Sequence, residues 1–537
     1  MWTLIKLILR RDRVKLPVWI GVISLSLLSM IPVLQKTYGD QSSIDVLYQT
    51  FSVNPAGLFL TGPVDAPTFG ALVTIETLLW WGLAIAFMST LLIVRHTRHN
   101  EETGAQELLL SGQIRRSSSL AAALIVAVAA NIVMGLVIGG GLVLIAGEYW
   151  SPEHSWLFGA ALALFGIVWS AIAAAVAQLF ENTRLVNGVL AGLIGIAFVA
   201  RGIGDFMGKV GSDGLLQPAW ISSLSPFGWL QATRPLTFPD WSPLTTSLAV
   251  ALAVSAVAFL LLARRDVGMG LVPARKGRTR ASKFRRTGLG LTWHLQRNIA
   301  FGWLVGVLAM VGTIGIMTPE MTNIYDSSDS IKMLVESLGG QGALIPAFLS
   351  AMLAIIILMV VAYALQGLGK LRDEESSGHL ESLLATKLSR RRWAMLHIGT
   401  VVVTSVIMLA LTGCVMALGV NLLTDIEVSV AEYTLAGLSY GPIVLLFAGL
   451  YLLLFGIVPR VAGLVTWAYF GVVVFMTWLA PVMDIDKSIM NISILEHLPA
   501  SPAEDIKLAP MLWITGIALL LVVIGFTAWS RRNLIER

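Results

Sequence analysis

The sequence predicts an all-α polytopic membrane protein, and two observations carry that prediction. Hydrophobic residues make up 56% of the 537 residues and charged residues only 13%, about half the roughly 25% charged residues of soluble globular proteins. The apolar residues also gather into long runs of the length that a helix needs to cross a bilayer, about 20 residues. These observations exclude a soluble enzyme and a disordered protein, and a single cysteine, Cys414, excludes a disulfide scaffold.

Twelve runs are long and apolar enough to be membrane spans. They are residues 17–34, 69–94, 119–146, 155–180, 185–204, 243–263, 300–318, 344–369, 394–423, 434–457, 461–480 and 509–530. The third and ninth runs are long, so we expect them to tilt or to protrude. The loops between the runs are short, and we therefore expect nearly all function to lie in the membrane or on a partner protein.

The distribution of charge predicts the orientation. With the N-terminus inside, the six outer loops hold six Lys and Arg against twenty Asp and Glu, whereas the inner segments hold thirty Lys and Arg against eleven Asp and Glu. Inner loops of membrane proteins carry such an excess of basic residues. Both termini are therefore predicted to be cytosolic, and the net charge of +5 indicates contact with anionic lipid, not nucleic acid.

The segment before the first span is predicted to be an amphipathic helix on the inner leaflet, from Lys6 to Lys15. Its apolar side chains would enter the lipid and its basic side chains would meet phosphates. The apolar set is Leu4, Ile5, Leu7, Ile8 and Leu9, and the basic set is Arg10, Arg11, Arg13 and Lys15. The alternative is a basic flank that only orients the first span.

A six-span repeat is visible in two loops at the same topological place. EETGAQELLLSGQIRRSSS follows the second span from Glu101, and EESSGHLESLLATKLSRRRW follows the eighth from Glu374. At a shift of 274 the matching pairs are Glu101 and Glu375, Gly104 and Gly378, Glu107 and Glu381, Leu109 and Leu383, Leu110 and Leu384, and Arg116 and Arg390. Arg264-Arg265-Asp266 after the sixth span is likewise matched by Arg531-Arg532-Asn533 after the twelfth. Since six is an even number, both halves face the same way.

The repeat predicts the domain organisation. Residues 1–263 form the first six-span half, 264–299 a cytosolic linker with the amphipathic start of the second half, and 300–537 the second six-span half. The basic segment 274–288 in the linker suggests a flexible, lipid-facing strap.

Each repeated loop is predicted to carry a short amphipathic helix that docks on another protein. Carboxylates precede a leucine cluster and basic residues follow it, which suits the helix dipole, and the leucine face would lie in a groove of the partner. The alternative is a loop helix on the lipid headgroups, which the carboxylates disfavour because the inner leaflet repels them.

These loops resemble the coupling region of ATP-binding-cassette (ABC) type 2 exporter permeases. The pattern is Glu-Glu-x-x-Gly-x-x-Glu-x-Leu-Leu, then residues rich in Ser and Arg, then a span. The wider chain resembles the twelve-span tetronasin/polyketide-antibiotic exporter group, through LSPFGWLQATRPLTFPDW (224–241), ARRDVGMGLVPARKG (263–277) and the start of the second half at 296–303. In the second half Ser382 replaces a Leu, and Ser-Pro-Phe-Gly-Trp is only echoed at 498–502.

The resemblance implies a permease subunit of the bacterial plasma membrane, not itself an enzyme, that exports hydrophobic or amphipathic compounds such as an antibiotic, a drug or a lipid. It implies ATPase-coupling residues at Glu101, Gly104, Glu107, Leu109, Leu110, Glu375, Gly378, Glu381, Leu383 and Leu384. A nucleotide-binding P-loop needs Gly-x-x-x-x-Gly-Lys-Ser/Thr, and Gly367-Leu368-Gly369-Lys370 lacks its spacing. ATP and Mg²⁺ would therefore be bound by separate ATPase subunits, two per chain, and no cofactor is expected in this chain.

Four residues are candidates for the substrate path because charges inside a bilayer are costly and usually functional. They are Glu76, Trp80, Trp81 and Arg201. Glu76 would face a cavity, bind a cation, or lie hydrogen-bonded near the outer interface. Arg201 would pair with Asp205 one turn on or, as the favoured interpretation, snorkel to the outer surface.

The remaining motifs indicate structure more than chemistry. No His or Cys spacing typical of a metal site occurs, and Cys414 lies in a span as a packing residue. The pairs Gly135/Gly139, Gly188/Gly192 and Gly302/Gly306 have the spacing for close helix approach. The outer segments SPFGW and FPDWSP are predicted to be short re-entrant or interfacial helices, or part of an aromatic belt.

Two other classes of function stay open on sequence grounds. An ion-coupled secondary transporter with two six-span halves would need intramembrane ionisable residues, of which the spans hold essentially one carboxylate, Glu76. A membrane enzyme or lipid transferase would need an acid–base or metal cluster, which the sequence does not suggest.

Overall fold

The computed structural model describes residues 1–53, 55–112, 114–145, 147–211, 215–273, 279–327, 341–386, 388–423, 426–478 and 487–532. The chain divides into two compact units, Met1–Gly277 and Arg278–Arg537. Each unit has its own hydrophobic core of buried aliphatic and aromatic side chains.

In the described part of the first unit, the regular structure is helical apart from one two-stranded antiparallel ribbon. Its helices are α1 (Trp2–Arg11), α2 (Lys15–Thr37), α3 (Gln41–Val53), α4 (Pro55–Leu60), α5 (Phe69–His96), α6 (Arg98–Glu102), α7 (Ala105–Leu110), α8 (Arg116–Ile145), α9 (Pro152–Leu179), α10 (Thr183–Phe206), α11 (Pro226–Ala232) and α12 (Ser242–Ala263). The ribbon joins β1 (Lys209–Val210) to β2 (Leu216–Gln217), and a 3₁₀ turn covers Ser222–Leu224.

In the described part of the second unit only helices and 3₁₀ turns occur. They are a 3₁₀ turn at Phe284–Arg286, then α13 (Gly288–Ser327), α14 (Gln341–Ser376), α15 (His379–Leu384), α16 (Arg390–Leu423), α17 (Val430–Ser439), α18 (Gly441–Ile457), α19 (Ala462–Trp478), α20 (Lys487–Met490), a 3₁₀ turn at Ile494–His497, and α21 (Leu508–Arg531).

Eleven helical segments of the described residues are long and apolar enough to cross a membrane. Each of them overlaps one of the predicted spans, although the seventh, Gly288–Gly312, begins and ends earlier than the predicted 300–318. The remaining predicted span, 461–480, corresponds to α19, a helix of 17 residues. The chain is therefore an all-α polytopic membrane protein, and twelve spans stay a prediction. The predicted span 434–457 is interrupted, because α17 and α18 meet at Tyr440. Pro442 then lies in the first turn of α18, where its missing N–H is not needed.

Close helix packing depends on glycine at one of the three predicted pairs. A Cβ on Gly135 would stand 2.5 Å from the carbonyl oxygen of Gly159, so α8 and α9 pack with their backbones nearly in contact. No described atom lies within 4 Å of a Cβ built on Gly188, Gly192 or Gly302. A Cβ on Gly306 would stand 3.4 Å from the terminal methyl group of Met359, an ordinary side-chain contact. Among the described residues neither of these two pairs therefore shows the predicted close approach of backbones.

The segment between α10 and α12, which the sequence predicts to lie on the outer side, is anchored by one aromatic side chain. The Ser225 hydroxyl accepts a hydrogen bond from the backbone N–H of Phe227, 3.1 Å away, and so begins α11. The Phe227 ring is fully buried and lies 4.9 Å from the ring of Phe165 and 5.5 Å from that of Phe198. The SPFGW segment is thus a short helix packed into the first unit.

The N-terminal helix α1 has one face packed against the rest of the first unit and one exposed face. Leu4 and Ile8 are buried in a core cluster that includes Leu120 of α8, while Leu7 and Leu9 are exposed. The prediction that all of its apolar residues enter lipid is therefore wrong for Leu4 and Ile8. They lie one helical turn apart on the face that contacts α8, which the sequence of α1 alone does not reveal.

Candidate functional site

The two repeated loops fold in the same way. After α5 and α6 the chain turns at Gly104, whose φ is 75°, and α7 follows; after α14 it turns at Gly378, whose φ is 77°, and α15 follows. Left-handed backbone of this kind favours glycine because a Cβ would be strained. Each glycine thus lets a long helix end and a six-residue helix begin in a new direction.

The two short helices expose the same positions. Glu107 of α7 and Glu381 of α15 are exposed. Leu108 is 79% exposed, and its counterpart Ser382 is exposed too. Each short helix therefore presents a carboxylate and the residue after it to the surroundings. The sequence prediction did not select Leu108 or Ser382.

The leucines that were predicted to dock on a partner pack largely inward. Leu109 is partly buried against the core of the first unit, and Leu383 and Leu384 are partly buried against the core of the second. Leu380, which precedes Glu381, is fully buried. The side chain of Leu110 lies outside the described residues. Much of the leucine face therefore holds each short helix on its own unit.

Glu101, predicted to dock on an ATPase, is paired inside the first unit. Its Oε1 lies 2.5 Å from Nη2 of Arg265 and its Oε2 lies 2.8 Å from Nη1, a two-pronged contact of the kind that guanidinium and carboxylate favour. Arg98 also pairs with Glu101. Arg116, at the start of α8, donates from Nη2 to the carbonyl oxygen of Arg265, 2.7 Å away. We call Glu101, Arg116 and Arg265 the first clasp.

Glu375 makes the equivalent contacts in the second unit. Both of its carboxylate oxygens lie 2.9 Å from guanidinium nitrogens of Arg532. Arg390, at the start of α16, donates from Nη1 to the carbonyl oxygen of Arg532, 2.9 Å away, and its guanidinium lies 4.3 Å from the centre of the Trp529 ring. We call Glu375, Arg390 and Arg532 the second clasp.

Each clasp connects three parts of its unit: the segment before the short helix, the start of the next long helix, and the residue beyond the last helix. Glu101 and Glu375 lie just before the short helices, Arg116 and Arg390 begin the next long helix, and Arg265 and Arg532 lie just beyond the ends of α12 and α21. Since an ion pair of low exposure separates only at a cost in free energy, each clasp holds the segment before its short helix to the elements that it contacts.

A second polar cluster fastens α1 to the first loop, and the sequence did not indicate it. Asp12 is buried and pairs with His96 at the end of α5 and with Arg95, at 3.2 Å. Arg11 donates from Nη1 to the side-chain oxygen of Asn100 in α6, 2.7 Å away. The N-terminal helix is therefore fixed to the segment that leads into α7.

The predicted substrate-path residues of α5 lie apart from the clasps. Glu76 is half-buried. Burial raises the pKa of the Tyr38 phenol, and the negative charge of Glu76 raises it further. Trp80 is exposed, with its ring centre 6.1 Å from that of Phe198. Trp81 donates from its indole N–H to the hydroxyl of Ser26, 3.0 Å away, and so ties α5 to α2.

Arg201 does not snorkel to the surface, contrary to the favoured sequence interpretation. Its side chain is fully buried and lies 3.2 Å from the carboxylate of Asp205, which is also fully buried. It donates to the carbonyl oxygens of Leu58 and Leu60, at 3.4 and 3.1 Å. Asp205 in turn accepts from the hydroxyl of Ser222, 3.1 Å away. Arg201 therefore fastens α10 to α4 because a distant segment supplies its acceptors.

The described part of the chain brings together no group of three or more His, Cys, Asp or Glu side chains that could hold a metal ion. Cys414 is half-buried in α16. The polar chemistry of the described residues is thus concentrated in ion pairs that connect helices.

Comparison with known proteins identifies relatives over nearly the whole length. The family profile described as "Multidrug efflux system permease Rv1217c, C-terminal domain" matches residues 71–262 and 286–530. The multidrug efflux system permease protein Rv1217c of Mycobacterium tuberculosis strain H37Rv is 31% identical over 533 residues, which covers 99% of this chain and 94% of that protein.

Proposed function

The chain belongs to the family of Rv1217c-like multidrug efflux system permeases, and from this membership we propose that it is the membrane subunit of an ATP-driven exporter. As a member it is a transport component and a multi-pass protein of the plasma membrane. The finer proposal is an ABC permease of the tetronasin/polyketide-antibiotic exporter type, with both termini cytosolic and twelve spans in two parallel halves, 1–263 and 300–537. The two matched clasps support it.

ATP would be hydrolysed by other polypeptides. The sequence contains no P-loop of the required spacing, and the relative's description as the permease of a multidrug efflux system implies that such a permease works with other components. We propose two ATPase subunits per chain, one for each short helix, with ATP and Mg²⁺ bound on those subunits. No cofactor is assigned to this chain.

The proposed contact with the ATPases is the exposed edge of each short helix. It consists of Glu107 and Leu108 in the first half and Glu381 and Ser382 in the second. One edge carries an apolar side chain and the other a hydroxyl, so the two ATPases would be held unequally. This asymmetry is a reason to expect one half to respond before the other when ATP binds.

The clasps would carry the movement into the membrane. When the ATPases close, they push on α7 and α15, and Glu101 and Glu375 pass that displacement to the ends of α12 and α21 through Arg265 and Arg532. The single observation that carries the proposal is that both loops, matched at a shift of 274 residues, make the same contact with an arginine beyond the last span of their own unit.

The proposed cargo is hydrophobic or amphipathic. Charged residues amount to 13% of the chain, and the buried charges Arg201 and Asp205 neutralise each other. A membrane domain of this composition favours an apolar drug, an antibiotic or a lipid over an ion.

Charge reversal at both exposed edges tests the proposal. Glu107→Lys with Glu381→Lys is expected to abolish export and the stimulation of ATPase activity by cargo, while the chain still folds because both carboxylates are exposed. The measurement is ATP hydrolysis and dye export by the reconstituted permease–ATPase complex. The matched control is Glu148→Lys with Glu427→Lys, two exposed carboxylates in the loops at the predicted outer side.

Wild-type coupling in the Glu107/Glu381 double variant would contradict the docking role. Export that survives ATP depletion and collapses with the proton gradient would instead favour the ion-coupled secondary transporter.

A further inference from the structure

The second unit contains an apolar groove that the export proposal does not use. It lies between α13 and α16 and has a volume of about 680 Å³, within the range of small-molecule sites, about 300–1,000 Å³. Trp293 and Leu304 line one wall, and Met395 and Val403 line the other. None of the lining residues is charged, so the groove suits hydrocarbon.

The groove opens sideways. Phe301, Met395 and Val403, which line it, are 56%, 57% and 59% exposed, so a bilayer around these helices would have access to the groove from that side. Thr400, one of the polar lining residues, donates its hydroxyl to the carbonyl oxygen of Leu396, 2.7 Å away. Because the Thr400 hydroxyl already has this hydrogen-bond partner, the groove does not need a polar ligand group at this position.

One end of the groove is strongly basic. Phe284, which lines it, shares a 3₁₀ turn with Arg285 and Arg286, and both arginines are exposed. Arg391 and Arg392 are exposed in the first turn of α16, one turn before Met395. No Asp or Glu occurs between residues 279 and 319 or between 382 and 424. The basic end therefore favours a negatively charged group.

We propose that this groove binds an anionic phospholipid, with an acyl chain between α13 and α16 and the phosphate among Arg285, Arg286, Arg391 and Arg392. The combination of an apolar, laterally open trough with a basic end matches the two parts of such a lipid. A neutral apolar compound would use the trough but not the arginines. The site is a resident-lipid site, separate from the exposed edges of α7 and α15.

Gly399 provides a direct way to fill the groove. It lines the α16 wall, and no described atom lies within 4 Å of a Cβ built there, so a larger side chain enters open space. Gly516 in α21 is a matched control, because it is exposed and its Cβ would also have no described atom within 4 Å.

The experiment uses the full chain in phosphatidylcholine vesicles that contain phosphatidylglycerol with a photoactivatable group on one acyl chain. The expected result is labelling of peptides within 284–308 and 393–408, loss of that labelling in Gly399→Trp, and retention in Gly516→Trp. Arg285→Gln with Arg286→Gln is expected to lower the preference for phosphatidylglycerol over phosphatidylcholine by roughly thirtyfold, since each surface arginine attracts anionic lipid by about 1 kcal/mol. Gly399→Leu is a second, smaller filling of the groove. If its labelling falls while its melting temperature stays that of the wild type, the loss of labelling is not due to misfolding.

Three results would overturn the proposal. The first is equal labelling of Gly399→Trp and Gly516→Trp. The second is equal labelling by the phosphatidylglycerol and phosphatidylcholine probes. The third is suppression by the neutral dye N-phenyl-1-naphthylamine but not by unlabelled phosphatidylglycerol, which would assign the groove to neutral hydrophobic cargo.

Discussion

At the scale of single residues, the carboxylates of the repeated loops have two different roles. Glu101 and Glu375 are bound to arginines of their own units, whereas Glu107 and Glu381 are exposed. The sequence alone does not distinguish these four residues, because an acidic residue in a loop looks the same in the sequence whether or not the fold gives it a partner. The difference between the paired and the exposed carboxylates depends on arginines far along the chain.

The first clasp is expected to contribute measurably to stability. Arg265→Met leaves Glu101, a carboxylate of low exposure, with fewer partners, and should lower the free energy of unfolding by about 2–3 kcal/mol, since hydrogen bonds to charged groups contribute about 1.5–3 kcal/mol. Glu101→Leu combined with Arg265→Met should cost less than the sum of the two single changes. Thermal melting of the purified chain measures this, with the exposed Glu107→Gln as control. Additive costs would mean that Glu101 and Arg265 do not interact.

The long sequence separation between paired residues also explains why part of the site could not be predicted. Glu101 and Arg265 are separated by 164 positions and Glu375 and Arg532 by 157, so each pair forms only when the unit folds. Arg201 was misassigned for the same reason. Its acceptors at Leu58 and Leu60 lie 143 and 141 positions away, and without them a snorkelling side chain is the reasonable expectation.

At the scale of elements, the helices themselves were largely predictable, because hydropathy determines which segments enter a bilayer. The short helices α7 and α15 were predictable from the repeat, since a glycine before an apolar cluster occurs in both loops. The face that each short helix exposes was not predictable. A helix of one or two turns is too short for its hydrophobic periodicity to distinguish an inward leucine from an outward one. The break at Tyr440 was hidden within a continuous apolar run.

The attachment of α1 is testable by comparing its two faces. Leu4→Asp with Ile8→Asp should detach α1 from α8, because both side chains are buried and an isolated charge is costly to bury. Trypsin cleavage at Arg10, Arg11 and Arg13 should then accelerate. The control is Leu7→Asp with Leu9→Asp on the exposed face, which should leave cleavage unchanged. Equal cleavage of both double variants would favour a helix held by lipid alone.

At the scale of the whole molecule, the proposed mechanism is a division of labour. In this proposal the chain supplies the membrane pathway in two units, and separate ATPases would supply the energy through the exposed edges of α7 and α15. Family membership supports efflux, and the matched clasps support a common mode of transmission. The differences between the edges, Leu108 against Ser382, suggest that the two ATPases are not bound equivalently.

Cysteine cross-linking tests this central proposal most directly. In a Cys414→Ser background, Leu108→Cys and Ser382→Cys are each expected to cross-link to an ATPase encoded beside this chain, because both positions are exposed on the proposed contact edges. Glu148→Cys, on the predicted outer side, should not cross-link. If a membrane-impermeant maleimide labels Leu108→Cys and Ser382→Cys on intact cells, both edges lie outside the cell and coupling through them is contradicted.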